Sequence, residues 1–329
     1  MIDGSSTVKD LPTLMELLYS YFTALTPDQA TFDVARENYE QRLKNAMQNP
    51  QMIFSMRAGD IRYGGNKLMT SVTPEEVASA SYPEMLEMIH SLTGNAADFT
   101  FVFTGNIDEA VFLPLVEQYI ATLPSKKKKT EVKKVSPVAV VEGQIADEFK
   151  QPMQVPATIV FDLYHGHNLE MNVKNDVLIE MLGDILDNIY IATLREEEGG
   201  TYGASVSGAL NYPEKSWNLA YSFQTNAEQQ ASLIKRAQTE LEKLLNEGAD
   251  QANFTKVKEA MLKQEEINSR KNSYWNSGLV DYLRGFDVIS SYRSAIESTT
   301  LEEFNNFAKN LYDGKNRIEI VMEGVAVEK

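Results

Sequence analysis

Asp28-Gln-Ala-Thr-Phe32 and Asp250-Gln-Ala-Asn-Phe254 decide the fold, because they are two copies of one signal. Each is an Asp-Gln-Ala turn followed by a helical pattern, through Val34, Tyr39 and Leu43 in the first case and Val257, Met261 and Leu262 in the second. Downstream of each, a Thr opens a further helix with Glu three residues on: Thr73-Pro-Glu-Glu76 and Thr300-Leu-Glu-Glu303. In such a capping box the hydroxyl and the carboxylate satisfy free amides of the first turn reciprocally. The Asp-Gln-Ala copies stand 222 residues apart and the boxes 227. Both copies then close on a β-rich run ending in glycine, Phe99-Thr-Phe-Val-Phe-Thr-Gly105 and Ile318-Glu-Ile-Val-Met-Glu-Gly324. The same order at nearly the same spacing reads as a duplicated α/β unit.

The second copy is the complete one. Ala157 to Tyr164 reads as a strand and Asn172 to Glu197 as a long helix, stopped at Gly199-Gly200, where glycine suits the left-handed C-terminal position. Thr201–Leu210 and Ser216–Thr225 read as a hairpin. Helices follow over Glu228–Glu247, Gln251–Arg270, Tyr274–Gly285 and from Leu301, and then the last strand. Strand, helices and strand in that order predict an α+β fold: two homologous α/β-roll domains, each a mostly antiparallel sheet with helices packed on one face. The first copy lacks its front. In the second, 94 residues separate Pro156 from the Asp-Gln-Ala signature, whereas only 27 precede it in the first. A strand, a helix and a hairpin have no counterpart there, which predicts a truncated sheet with an exposed, self-associating edge. The expected organisation is therefore a truncated domain over residues 1–122, a Lys/Pro-rich linker over 123–150 and a full domain over 151–329. Within the linker, Leu123 to Pro137 carries six lysines and two prolines, a self-repelling solvated tether.

Composition removes several functions. The 329 residues carry a formal net charge of −16, contrary to the clustered basic surface that nucleic acid requires. With no cysteine there is no disulfide, thiol nucleophile or thiolate-bound zinc. Met1 to Asp10 holds no apolar run, so no signal peptide is expected. The most apolar helical stretch, Val177 to Leu194, is broken by Glu180, Asp184 and Asp187, which excludes a membrane span.

Few residues offer chemistry. His165-Gly-His167 is the sole histidine pair, and with Glu170 it could in principle bind zinc. Its spacing matches neither the helical zinc motif nor its inverted form, and a strand-exit loop accounts equally for it. His90 reads as a core or boundary residue of a helix. No phosphate-binding glycine loop and no Gly-x-Ser-x-Gly elbow occurs. One segment stands apart, Leu194-Arg-Glu-Glu-Glu-Gly-Gly-Thr-Tyr-Gly203. It sets Arg195 in the last helical turn and Tyr202 at the start of the next strand, two donors at one end of the sheet. Arg195 could equally serve the helix dipole and Tyr202 the strand.

Leu194 to Gly203 resembles the C-terminal-half signature of the insulinase/pitrilysin zinc metallopeptidases, in which an Arg and a Tyr seven positions apart bind substrate. Lys263-Gln-Glu-Glu-Ile-Asn-Ser-Arg-Lys-Asn-Ser-Tyr-Trp275 is similar to the long helices of that family's bacterial periplasmic members. Phe99–Asp108 and Leu113–Pro124 resemble the ends of its domains. The resemblance implies four homologous domains in two halves that close like a clam shell over an unfolded peptide. It implies zinc on a His-x-x-Glu-His motif in the N-terminal half, which this chain lacks. The chain would then be the truncated third domain and the fourth, with Arg195 and Tyr202 as substrate-binding residues, no catalytic or metal-binding residue and no cofactor of its own. It would be inactive alone and partnered by the zinc-bearing half, periplasmic in its parent protein. The rival from another class is a non-catalytic peptide-binding or scaffold module of the same fold; a third reading is a metal enzyme using His165 and His167.

Overall fold

A computed structural model describes residues 2–126, 128–131 and 136–326. In chain order the elements are helices α1 (Leu11–Thr23), α2 (Gln29–Ala46), α3 (Pro50–Arg62), α4 (Pro74–Ala78), α5 (Tyr82–Thr93) and α6 (Glu109–Leu115). Strands β1 (Gln144–Met153) and β2 (Thr158–Gly166), helix α7 (Val173–Tyr190) and strands β3 (Ala204–Asn211) and β4 (Ser216–Thr225) follow. Helices α8 (Gln230–Glu247), α9 (Gln251–Asn268), α10 (Asn272–Leu283), α11 (Val288–Ser298) and α12 (Leu301–Leu311) lead into β5 (Arg317–Ala326). The chain divides into two compact units, Met1–Ala46 with Val72–Val135, and Met47–Ser71 with Ser136–Lys329.

The larger unit holds a five-stranded sheet in the order β1-β5-β2-β4-β3. All pairings are antiparallel except β1 with β5. The fold is the expected α+β arrangement, and β2 at its centre is buried along nearly its whole length. Helix α7 lies across one face, where Leu182, Ile185 and Leu186 join Val160, Trp217 and Tyr221 in one apolar cluster with α8, α9 and α12. Helix and sheet meet closely at Gly208, where a Cβ would fall 2.0 Å from the Ile179 carbonyl oxygen. Within this face, Asp162 on β2 is buried and held by Arg317 and by the Tyr221 hydroxyl at 2.7 Å each. Isolating that charge would be costly, so its partners fix the cross-strand register of β5, β2 and β4.

Two expectations change here. The helices do not all lie on one face: α3 covers the other, its Phe54 and Ala58 packing with Leu163, Ile318, Ile320 and Met322. Residues 144–150, expected within the linker, are strand β1. Its burial alternates, with a polar outer row, so it looks like solvated chain in sequence yet pairs along its whole length with β5. Of the lysine-rich run, Lys127, Lys133 and Lys134 lie outside the described residues.

The duplication is visible in the helix caps of both units. Asp28 Oδ1 accepts from the Thr31 amide at 3.0 Å, and Asp250 Oδ1 from the Asn253 amide at 2.9 Å, so the repeated Asp is in each case the N-cap. The second pair of boxes must be realigned. Thr73 and Glu76 form a full box, but on the short α4. The counterpart of Thr300 is Ser81, which caps α5 at the same offset of 219 residues that relates Gly105 to Gly324. Thr300 itself makes half a box, because Glu303 turns to Lys174 at 2.9 Å instead.

In the smaller unit, α1 buries Met15 and Phe22, and Phe22 meets Phe99 and Phe101 with ring centroids 4.9 and 6.0 Å apart. Phe99 to Thr104, expected as a strand, is extended but is assigned to no sheet among the described residues. Its counterpart β5 lies between β1 and β2, strands found only in the larger unit.

Candidate functional site: the corner between a helix and an edge strand

Arg195 and Tyr202 flank one corner of the larger unit, where α7 hands over to β3 at the edge of the sheet. The helix does not stop at Tyr190 but widens into a π-type turn over Ile191–Glu197. Leu194 in that turn is fully buried, which anchors it and leaves Arg195, the next residue, on the outside. Gly199 takes a left-handed φ of +60° to end the helix. Gly200 then passes so close to α8 that a Cβ would sit 2.5 Å from Leu233 Cδ1. Thr201 is buried; its hydroxyl donates to the Gly203 carbonyl at 2.9 Å and accepts from the Gly203 amide at 3.2 Å. That local turn projects Tyr202, which is 98% exposed.

Two of the three neighbouring acids are occupied. Arg236 on α8 holds Glu197 at 2.9 Å and reaches Glu198 at 3.8 Å. Arg195 has no ion pair or hydrogen bond among the described residues, and neither has the Tyr202 hydroxyl. The corner therefore presents a planar five-donor guanidinium and a phenol, both facing solvent beside the free edge of β3. Such a pair can donate to carbonyl or carboxylate oxygens of an extended chain. Arg195 makes no hydrogen bond to the last carbonyls of α7 among the described residues, and as the basic residue of the last turn its charge still lies at the negative end of the helix dipole.

The histidines do not converge. His165 is only 1% exposed, and neither ring nitrogen has a hydrogen-bond partner. Burial holds its imidazole below the usual histidine range. His167 lies past the end of β2 with Nδ1 3.2 Å from the Lys215 carbonyl oxygen. Among the described residues no three His, Asp or Glu side chains are grouped to hold a metal ion. The donor set thus does not fit zinc. His90, expected in a core or boundary position, is exposed on α5.

A second feature was not singled out from the sequence. A groove of about 360 Å³ runs among α7, α9, α10 and α11, lined by Glu180, Asp184, Gln264, Glu265, Tyr274 and Tyr292. Glu180 accepts a short hydrogen bond from Tyr292, and Glu265 accepts from Tyr274 and Arg293 at 3.3 and 3.1 Å. Burial raises the carboxyls of Glu180 and Asp184 above the ordinary carboxylate range. The signal was present in the acids that interrupt the apolar helix, which bear on packing as well as on membrane insertion.

Residues 80–261 match the pattern of the family described as "Peptidase M16 inactive domain". The chain belongs to that family. A zinc protease PQQL-like protein of Arabidopsis thaliana is 24% identical to this M16 chain over 289 residues, 81% of this chain and 29% of the relative. The probable zinc protease PqqL of Escherichia coli is 19% identical over 273 residues, again 29% of its length. The crystal structure of the E. coli protein, a periplasmic protease, superimposes with a TM-score of 0.79 at 18% identity, over 96% of this M16 chain and 35% of that one. The first half of the same protease, solved separately, superimposes with a TM-score of 0.67 at 12% identity, over 98% of this chain and 73% of that one. The first half of the relative thus shares the fold, and this chain spans about a third of the full relatives. No helix among the described residues is long and apolar enough to cross a membrane.

Proposed function

We propose that this M16 inactive domain is the substrate-holding portion of a longer zinc peptidase, binding an unfolded peptide and closing over a zinc-bearing N-terminal half of the same polypeptide. On this reading it cleaves nothing alone, and its parent works in the periplasm. The carrying observation is the corner itself: two donors face solvent without partners among the described residues, while two of the three acids between them, Glu197 and Glu198, are tied to Arg236. Arg195 and the Tyr202 hydroxyl hold a peptide carbonyl and share the negative charge that develops on it during hydrolysis. Donors aimed at developing charge are among the largest contributors to such reactions. The PqqL relatives, described as zinc proteases, support this reading.

The test is kinetic and uses the longer polypeptide. Tyr202→Phe removes one donor and keeps the shape, which should lower kcat by about 10²–10³. Arg195→Lys keeps the charge but not the planar fork, and should also lower kcat/KM. Both variants should melt with the parent, since neither side chain is packed. Unchanged kinetics in both would remove the substrate-holding role and favour a scaffold module of the same fold.

A further inference from the structure

Three acids follow Arg195 directly, Glu196, Glu197 and Glu198, and all four residues are exposed. Glu198 keeps a helical backbone, φ −83° and ψ −23°, three residues beyond Arg195. Opposite charges at that spacing on a helical turn meet readily. Left to itself, the segment would close Arg195 onto its own acids and take the guanidinium donors out of use.

Helix α8 supplies a competitor. Arg236 Nη2 donates to Glu197 Oε2 at 2.9 Å, and its Nη1 stands 3.8 Å from Glu198 Oε1. Its Nε lies 3.0 Å from Glu240, one turn on along α8, so the guanidinium is braced on its own helix. A planar fork shared among three carboxylates is a fixed charge, unlike a lone flexible lysine. Three residues back on the same face, the buried Leu233 packs against Gly200. Leu233 and Arg236 thus grip the corner on both sides of Gly199, the first by packing and the second by charge. Arg195 stays outside this network among the described residues.

We propose that Arg236 is a positioning residue of the corner: by holding Glu197 and Glu198 toward α8, it keeps Arg195 unpaired and available to a peptide carbonyl. Arg236 itself does not touch the peptide. What Arg195 is kept free to do rests on the substrate-holding reading; the competition between the two arginines for the same acids does not. Removing Arg236 releases two carboxylates, of which Glu198 has the spacing to take Arg195. An exposed pair of this kind is modest in strength, so Arg195 would be tied most of the time and not permanently.

Arginine labelling reads this directly in the 329-residue chain. Phenylglyoxal reacts with unpaired guanidinium groups, and its rate at Arg195 would be followed by mass mapping of the digested protein. In the parent Arg195 should react fast. In Arg236→Gln it should react about two- to five-fold more slowly, the ratio that an exposed ion pair gives. In Arg236→Gln combined with Glu197→Gln and Glu198→Gln the parent rate should return, which the loss of a merely structural contact would not allow. Arg284, exposed on α10, serves as the control and should react alike in all three proteins. Equal rates at Arg195 in the parent and in Arg236→Gln overturn the proposal. So does a slowed rate that neutralising the two acids does not repair. Neither outcome involves a peptide or peptidase activity, so failure here is distinct from failure of the substrate-holding role.

Discussion

Helices α5 and α12 are the same element in two surroundings. Each opens on a hydroxyl cap, Ser81 or Thr300, that accepts from the amide three residues on, and each leads into an extended run closing at glycine. Local signals therefore set helix position in both units, whether or not the helix has a partner. The larger unit adds the surface that this pattern is built to meet: a sheet, and α7 lying across it. Caps and periodicity specify an element, whereas burial has to be supplied by segments distant in sequence.

The sharpest way to break this comparison is to truncate the apolar seam of each helix. Phe304→Ala removes a ring that is completely buried, and should cost about 3–5 kcal/mol in urea unfolding. Met85→Ala, at the equivalent place on α5, should stay within about 0.5 kcal/mol, as exposed substitutions usually do. Equal costs would mean that the seam of α5 is covered after all.

This comparison also shows what was legible in the sequence. The duplication, the capped helices and the β2–α7–β3–β4 order could be read because each rests on short-range chemistry. Three features could not. Strand β1 presents a polar outer row and adjoins a lysine run, so nothing local separates it from linker; only its parallel pairing with β5 defines it. Helix α3 sits in sequence within the first copy, yet Phe54 and Ala58 bury against the sheet of the second. Thr73–Glu76 and Ser81–Glu84 both carry the box pattern, and only the 219-residue offset shared with the closing glycines marks Ser81 as the counterpart of Thr300. At the candidate site, residue chemistry alone left Arg195 and Tyr202 between cap, strand and substrate roles; the resemblance favoured substrate, and their exposure without partners is the added observation. The chemistry of Glu180 and its groove was hidden because acids on a helix usually face water.

A smaller effect concerns acid. Burial depresses the pKa of His165, so the folded state resists a proton that the unfolded chain accepts near pH 6.5. The unfolded state then binds more protons, and stability falls as the pH drops through that region. Thermal unfolding at pH 8 and pH 5.5 should show a drop in Tm that His165→Phe reduces. An identical drop in that variant would assign the acid sensitivity to other groups.

The central claim is that the corner between α7 and β3 holds peptide, and binding to the 329-residue chain tests it without any catalytic half. A fluorescently labelled unfolded peptide should raise its anisotropy as the chain is titrated in. The double variant Arg195→Ala/Tyr202→Ala should weaken that binding by about ten-fold or more, the equivalent of roughly 1.4 kcal/mol for the lost donors, with Tm unchanged. Equal affinity in the parent and the double variant would contradict the claim and leave the corner a structural turn.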